Sequence, residues 1–477
     1  MPFKNCICIF VFSIILSTYA QPFQDLIAEP VAADSAFISP LQPEPTNDPI
    51  VNAAALNSFF KQLQDLETTQ KGKVRIVQVG DSHIQADFLT NAAKADLQQK
   101  FGNGGLGFVF PHKLAKTNGP NTITYKTNAM FTSSRNVRPV DEHPIGIAGY
   151  LLFTTNKNSA IEVTIRNEQD YVNTIKLIQP NNNRFFDVGL STGKLIPFQN
   201  YASKPITHKV KAGETLSAIA RNYKTTVDFI KKNNGLKSNT IAIGKVLKVG
   251  NEQQVIIDIN TSDFEIIDLK NDGTSYAYNS DKLLSTFYLI PNQVGNEYFI
   301  NGLVLENNKS GITYSGIGVN GAKLSDYNKF DLFFEQMQAL APNLLIVSFG
   351  TNESFDKVSV TDFMNQLEIF TTKVKQNNPN VAILVTTPPP STLYKKYENT
   401  YINEYTQALV AFAQTSNKIA VFDMYHAMGG KQGVQQSKEK GFLAKDEVHY
   451  TKAGYEQQGK VLADALLQAY QNYISNK

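Results

Sequence analysis

The sequence predicts an α/β protein: a parallel sheet covered by helices on both faces, interrupted by a long β-rich insertion. Three observations carry this expectation. Apolar strand-like runs alternate with helical stretches before about residue 120 and again after about residue 311, which is how a parallel sheet with crossover helices reads. Between those points the chain changes to short alternating runs such as Ala160-Ile161-Glu162-Val163-Thr164-Ile165, separated by Asn, Gly, Asp and Pro, the pattern of a β-sandwich. Inside that stretch, Thr207 to Val249 has a helical middle between short strands and reads as a small module of its own.

Taken in order, residues 1–20 read as a secretory signal. Lys4 precedes an apolar run from Cys6 to Leu16, small residues follow around Thr18-Tyr19-Ala20, and cleavage is expected before Gln21. Residues 21–50, rich in Pro, Ala, Asp and Ser without apolar period, read as a flexible leader. The segment 51–120 opens with a helix around Asn52–Leu66. A buried strand, Val74-Arg75-Ile76-Val77-Gln78-Val79, then runs into a tight turn at Gly80-Asp81, and a helix follows near Phe88–Phe101. Residues 121–310 form the insert, with the module at 207–249 carrying helices at Leu216–Tyr223 and Val227–Asn233. The segment 311–477 returns to strands at Leu344–Phe349, Val381–Val385 and Ile419–Phe422, with helices near Val360–Gln376, Tyr401–Gln414 and Ala453–Tyr473.

Composition narrows the chemistry. With 42% hydrophobic residues among 477 the chain has material for two or three domains, and a net charge of +3 is too small to imply binding to nucleic acid or a membrane surface. After the signal no stretch approaches the ~20 apolar residues of a spanning helix, so the mature chain is expected to be soluble and exported. Both cysteines, Cys6 and Cys8, lie in the signal. That excludes disulfides, cysteine catalysis and thiolate metal sites from the mature chain, and no cofactor is expected.

Candidate chemistry sits at the carboxyl ends of the predicted strands, where open α/β sheets bind their ligands. Gly80-Asp81-Ser82 follows the first strand, with the glycine expected to supply unusual dihedrals and lift the serine hydroxyl out of the turn. Alone, the tripeptide also reads as a helix cap. Asp446-Glu447-Val448-His449 lies just before the last helix, and its spacing can set Asp446 behind the imidazole of His449. A serine nucleophile needs such a base and the base needs an orienting carboxylate. Gly318-Val319-Asn320-Gly321 offers an unobstructed backbone N–H, and Gly350-Thr351-Asn352-Glu353 offers a side-chain amide after a strand. With the Ser82 N–H these form a candidate oxyanion hole, although both are also ordinary turn sequences.

In order and in strand context, Gly80-Asp81-Ser82, Gly321, Gly350-x-Asn352 and Asp446-x-x-His449 resemble the four blocks of the SGNH, or GDSL, hydrolase family. The resemblance implies a three-layer α/β/α domain with a flavodoxin-like parallel sheet. It further implies Ser82 as nucleophile, His449 and Asp446 as its partners, and Gly321 and Asn352 as oxyanion donors beside Ser82. Asp81 and Gly350 support the turns. The family commonly has Leu after the serine and Asp after the asparagine, where this chain has His83 and Glu353. Adjacent to Ser82 in a tight turn, His83 should diverge from it, leaving a substrate-contact or a packing role. Glu353 retains the charge with one more methylene, for a supporting hydrogen bond.

The segment from Thr207 through Gly213-Glu214-Thr215-Leu216 and Asn233-Asn234-Gly235-Leu236 to Val249 resembles a complete LysM module of βααβ form. Such modules bind N-acetylglucosamine-containing glycans through the loops that match Gly213, Glu214, Thr215 and Leu216 and Asn239, Thr240 and Ile241 here. Glu214-Thr215 is equally suited to capping a helix. The placement of the β-rich insert, together with Gly80-Asp81-Ser82-His83, resembles bacterial peptidoglycan O-acetylesterases. These resemblances imply a serine esterase of the periplasm or cell envelope that removes acetyl from the 6-hydroxyl of N-acetylmuramic acid in peptidoglycan. An acetylesterase on another polysaccharide such as xylan or a chitin-like glycan, a lipase of the same family, and a glycan-binding scaffold with little catalysis are the alternatives.

Overall fold

The computed structural model describes residues 49–140, 142–193, 205–251, 259–416 and 418–476. The expected signal, and the expected leader up to residue 48, lie outside them. Six strands form the central sheet: β1 (Ile50–Val51), β2 (Lys73–Gly80), β3 (Gly311–Gly318), β4 (Leu344–Ser348), β5 (Ala382–Thr386) and β6 (Ala420–Phe422), in the order β1-β6-β5-β4-β2-β3. All neighbours are parallel except β1 on β6. Leaving that edge strand aside, the chain enters the sheet in the order 2-1-3-4-5, the flavodoxin-like arrangement, whose reversal point opens a crevice between β2 and β4.

Successive strand residues explain the three layers. Val74, Ile76, Leu344, Ile346 and Leu384 enter one core, and their neighbours Val77, Val79, Leu345, Val347 and Val385 enter the other. A strand buried on both faces needs no polar alternation, hence the unbroken apolar runs. The first core is closed by α1 (Asn57–Thr69) and α3 (Phe88–Phe101), through Phe59, Leu63, Leu89 and Leu97, and by α9 (Lys452–Ser475), through Leu462 and Leu466. Between α1 and α3 stands the single turn α2 (Ser82–Gln85). The second core is closed by α5 (Asp331–Leu340), α7 (Val360–Asn377) and α8 (Thr400–Thr415), with Phe333, Phe363 and Leu409 among their contributions. Two short helices, α4 (Leu324–Asn328) and α6 (Thr351–Phe355), start at the carboxyl ends of β3 and β4.

The insert is a sandwich of two five-stranded antiparallel sheets. Ile161, Val163, Phe287 and Leu289 from one and Ile175, Leu177, Leu303 and Leu305 from the other share a core. Its first strand, Gly105–Val109, pairs with Gly302–Glu306, so the sandwich begins within the span expected for the first catalytic segment. All five residues of that strand are buried, and a strand covered on both faces shows no alternation to detect. The expected boundary at the other end shifts for a similar reason: Ile50, assigned to the leader, is buried in β1 opposite Phe422, and a two-residue edge strand has no period. The helix expected from Asn52 starts at Asn57, after a 3-10 turn. Asn52 itself is left-handed, its amide donating to the Ser416 and Ile419 carbonyls at 2.7 and 2.8 Å.

Pro205–Lys209, Leu216–Asn222, Val227–Asn233 and Val246–Asn251 form the βααβ module. Thr215 and Thr226 cap its helices through their hydroxyls. Val210, Leu216, Ile219, Ile230, Leu247 and Val249 make a separate small core.

Candidate active site

The turn that carries Ser82 is built on close approach. Gly80 lies in register between Gly318 of β3 and Ser348 of β4, and a Cβ on Gly80 would stand 2.6 Å from the Ser348 carbonyl oxygen. One on Gly318 would stand 2.6 Å from the Asp81 carbonyl. Gly80 is therefore required for space. The unusual dihedrals expected of it are not its contribution, since its φ lies outside the left-handed region. Asp81 caps α2, its Oδ1 accepting from the His83 N–H at 2.9 Å.

Ser82 Oγ lies 2.9 Å from His449 Nε2, and His449 Nδ1 lies 2.7 Å from Asp446 Oδ2. The other carboxylate oxygen of Asp446 accepts the Val448 and His449 backbone N–H groups at 3.0 and 2.9 Å. Partial burial works to raise the Asp446 carboxyl, but these hydrogen bonds outweigh it and hold the group below its usual value. The loop closes on itself because Glu447 is left-handed, with φ 62°. Glu447 is fixed there by Lys438 at 2.9 Å and by the Thr392 N–H donating to its carbonyl at 3.0 Å. An αL glutamate is costly in isolation, and these two bonds hold it.

The candidate oxyanion donors meet at the same place with different readiness. The Asn320 N–H is taken by Gln85 Oε1 at 2.6 Å. Gly321 is left-handed with open space around its Cα, and its N–H meets no acceptor among the described residues. Asn352 reaches the Ser82 turn, but both amide hydrogens are engaged, with Asp81 Oδ2 and the Ala322 carbonyl at 3.0 Å each. Donation from Asn352 to an oxyanion therefore requires one of those bonds to be given up.

Glu353 braces the two loops. One carboxylate oxygen accepts the Gly350 N–H at 3.0 Å and the other the Leu324 N–H at 2.9 Å, joining the start of α6 to the start of α4. The extra methylene over aspartate gives it that reach. Burial, and after it the nearby Asp81 charge, raises the Glu353 carboxyl to about 7 against its own hydrogen bonds. Burial likewise raises Asp81 to about 7.

His83 is 6% exposed and points inward. Its ring stacks on His449 with centroids 5.5 Å apart, and its Nδ1 lies 3.2 Å from the Tyr455 hydroxyl. Of the two roles open to it from sequence, packing fits this position. Gln85, Glu447 and Tyr455 were not singled out from sequence. Each acts through a fold-distant partner or a backbone conformation, which sequence spacing does not report.

In the small module Gly213, Thr215, Asn239 and Thr240 are exposed, Ile241 is half-buried and Leu216 is buried. Glu214 turns inward, 2.6 Å from His208 Nε2 and accepting the Lys211 N–H at 2.7 Å. Hydrogen bonds, first from that N–H and then from His208, hold its carboxyl below the usual range. Separately, a groove of about 540 Å³ runs between the first turns of α3 and α9 and the insert, with Phe88, Asn91, Asn121, Arg166, Lys452 and Glu456 on its walls. Among the described residues no three His, Cys, Asp or Glu side chains converge as a metal site, and no helix is long and apolar enough to cross a membrane.

Residues 276–457 match the GDSL-like lipase/acylhydrolase family, and residues 208–250 match the LysM domain. Gly321, Asn352, Asp446 and His449 lie in the first match; Ser82 lies outside it, separated by the insert. A solved structure of a peptidoglycan O-acetylesterase shares the fold, with a TM-score of 0.60 and 20% identity, over 88% of this chain and 97% of that one. Over 43 residues the chain is 56% identical to a protein described as a probable peptidoglycan endopeptidase, LytE, of Bacillus subtilis (strain 168). That stretch is 9% of this chain and 13% of LytE, so the chain spans a small part of that relative's length.

The brace makes a prediction about pH. Because the Glu353 carboxyl is raised, its contribution to stability is whole below the usual 4.5 and is lost as the pH rises toward about 7. Glu353→Gln does not titrate, so its stability deficit is largest near pH 4.5 and smaller at about pH 8, as measured by urea unfolding at both values. Equal deficits would contradict the assignment.

Proposed function

We propose that this chain, a carboxylic ester hydrolase with a GDSL-like acylhydrolase domain and a LysM domain, removes O-acetyl groups from peptidoglycan by serine catalysis. The observation that carries the serine mechanism is the continuous chain of contacts Ser82 Oγ, His449 Nε2, His449 Nδ1, Asp446 Oδ2, at 2.9 and 2.7 Å. Ser82 attacks the ester carbonyl while His449 takes its proton, and Asp446 holds the Nδ1–H and stabilises the imidazolium. The Ser82 and Gly321 N–H groups receive the oxyanion. Asn352 joins them by turning an amide hydrogen away from Ala322 or Asp81. Each such donor is worth roughly 2.7–4 kcal/mol of transition-state stabilisation. As the tetrahedral intermediate collapses, His449 gives that proton to the departing sugar oxygen, which leaves as a hydroxyl and an acetyl-serine remains. Water, activated by the same base, hydrolyses the acetyl-serine to acetate.

Three features support a cell-wall glycan as substrate: the LysM match, the fold shared with a peptidoglycan O-acetylesterase, and the groove beside α2. The groove combines an aromatic ring at Phe88 with amides and opposite charges at Asn91, Asn121, Arg166 and Glu456, a mixture suited to a hydroxylated, amide-bearing chain. It starts at Ala86, directly after α2, and includes Lys452, three residues beyond His449. The N-terminal segment fits export to the periplasm or cell envelope, where that substrate lies.

The test is acetate release from O-acetylated sacculi and from chemically de-O-acetylated sacculi. The wild-type chain releases acetate from the first alone, and Ser82→Ala loses at least about a thousandfold of that rate. Greater release from acetylated xylan than from sacculi would favour another polysaccharide. Arg166→Glu, in the groove, raises KM for sacculi several-fold and leaves kcat/KM for a small chromogenic acetyl ester unchanged; an equal loss on both substrates would reject the groove as a glycan subsite.

A further inference from the structure

We propose that His83 is a positioning residue for the base: together with one buried water it ties the nucleophile turn to α9 and holds the His449 ring in line with Ser82 Oγ. The inference rests on the assignment of Ser82 and His449 to the reaction. It starts from a cavity of about 20 Å³ at the carboxyl ends of β2, β4 and β5, behind the catalytic contacts. His83 and Gln458 both line it, and the Nε2 atoms of both are buried without a hydrogen-bond partner. Gln458 is 1% exposed. A single water needs roughly 10–15 Å³ of such space and two to four polar partners.

One arrangement of hydrogens satisfies both groups. Tyr455 lies one turn before Gln458 on α9, with its hydroxyl 3.2 Å from His83 Nδ1. With the phenol donating to His83 Nδ1, the ring hydrogen sits on Nε2. His83 Nε2–H and the Gln458 amide then present two donors to the cavity. A water oxygen accepts both, and its own hydrogens find Asp81, Ser348 or Thr386, which also line the cavity. Without it two buried donors carry their desolvation penalty unrelieved.

The consequence for catalysis is geometric and electrostatic. Ser82 and His83 are consecutive, so anchoring His83 to Tyr455 and Gln458 fixes the turn that carries Oγ. The His83 ring also forms a floor under His449, at 28° between planes. The titratable groups around His83 are Asp81 on its own turn, Asp446 and His449 on the loop before α9, and Tyr450 and Tyr455. Burial, and then the proximity of His449, pushes His83 down to about 3, so it stays neutral through the working range. A neutral ring face favours the imidazolium that His449 becomes; a second cation would oppose it.

The test compares full-length wild type, His83→Leu and Gln458→Leu on a small chromogenic acetyl ester, with a crystal structure of the wild type at a resolution that shows ordered water. Turnover by the wild type separates failure of the esterase reading from failure of this one. His83→Leu lowers kcat at least about tenfold with little change in KM. The pH dependence of its kcat/KM departs from that of the wild type, because the ring stacked on His449 is gone. Gln458→Leu lowers kcat in the same sense and by less, and the crystal shows a water within hydrogen-bond distance of both Nε2 atoms. An unchanged kcat and pH profile in a folded His83→Leu protein overturns the proposal. Should that variant fail to fold, unchanged kcat in Gln458→Leu or a cavity without water overturns it.

Discussion

Ser82 stands where it does because Gly80 is held in parallel register on both sides, opposite Gly318 of β3 and opposite Ser348 of β4. That register brings the segments just beyond three strand ends to one point: the serine turn, the Gly321 loop and the Asn352 loop. It also closes the catalytic sheet around the sandwich, because β3 is the first strand of the sheet after the insert. A slip of one residue would exchange the two faces of a strand buried on both sides and would fill the gap that Gly80 and Gly318 leave for the turn. The two cores, each fed by alternate residues of β2, β4 and β5, make such a slip expensive.

Two buried carboxyl groups then connect the loops that this register assembles. Asp81 bonds the start of α2 to Asn352, and Glu353 bonds the start of α6 to the start of α4. Burial raises both, and the charge of Asp81 further raises Glu353. The site is thus held by acceptors that receive backbone and amide donors in a low-dielectric interior, where each bond is electrostatically strong and leaving one unmade is costly. Asp446 differs: it is partly solvated, and its hydrogen bonds hold it below its usual value, as the proposed role of stabilising a transient imidazolium requires.

Much of this arrangement was legible in the sequence, for identifiable reasons. The long apolar runs gave β2, β4 and β5 to within a residue or two, and α3 is the helix expected at Phe88–Phe101. Spacing put Asp446 behind His449, but spacing alone does not select that pair. Asp423 and His426 have the same separation and the same bond, 2.6 Å from Nδ1 to the carboxylate, and only the fold shows which imidazole meets Ser82. What escaped was whatever depends on a distant partner or on burial on both faces: the strand Gly105–Val109, the edge strand at Ile50, the bond from Gln85 to Asn320, and the engagement of both Asn352 amide hydrogens. Gly80 was singled out for its dihedrals and is needed for its missing Cβ.

The central claim is that Ser82, activated by His449, is the nucleophile. Covalent labelling of the intact chain with a fluorophosphonate, followed by peptide mass spectrometry, tests it most directly. A single adduct on the peptide containing Ser82, slowed sharply by His449→Ala and retained in Asp423→Ala, is the result this account predicts. No adduct, an adduct on a different serine, or labelling indifferent to His449 would contradict it.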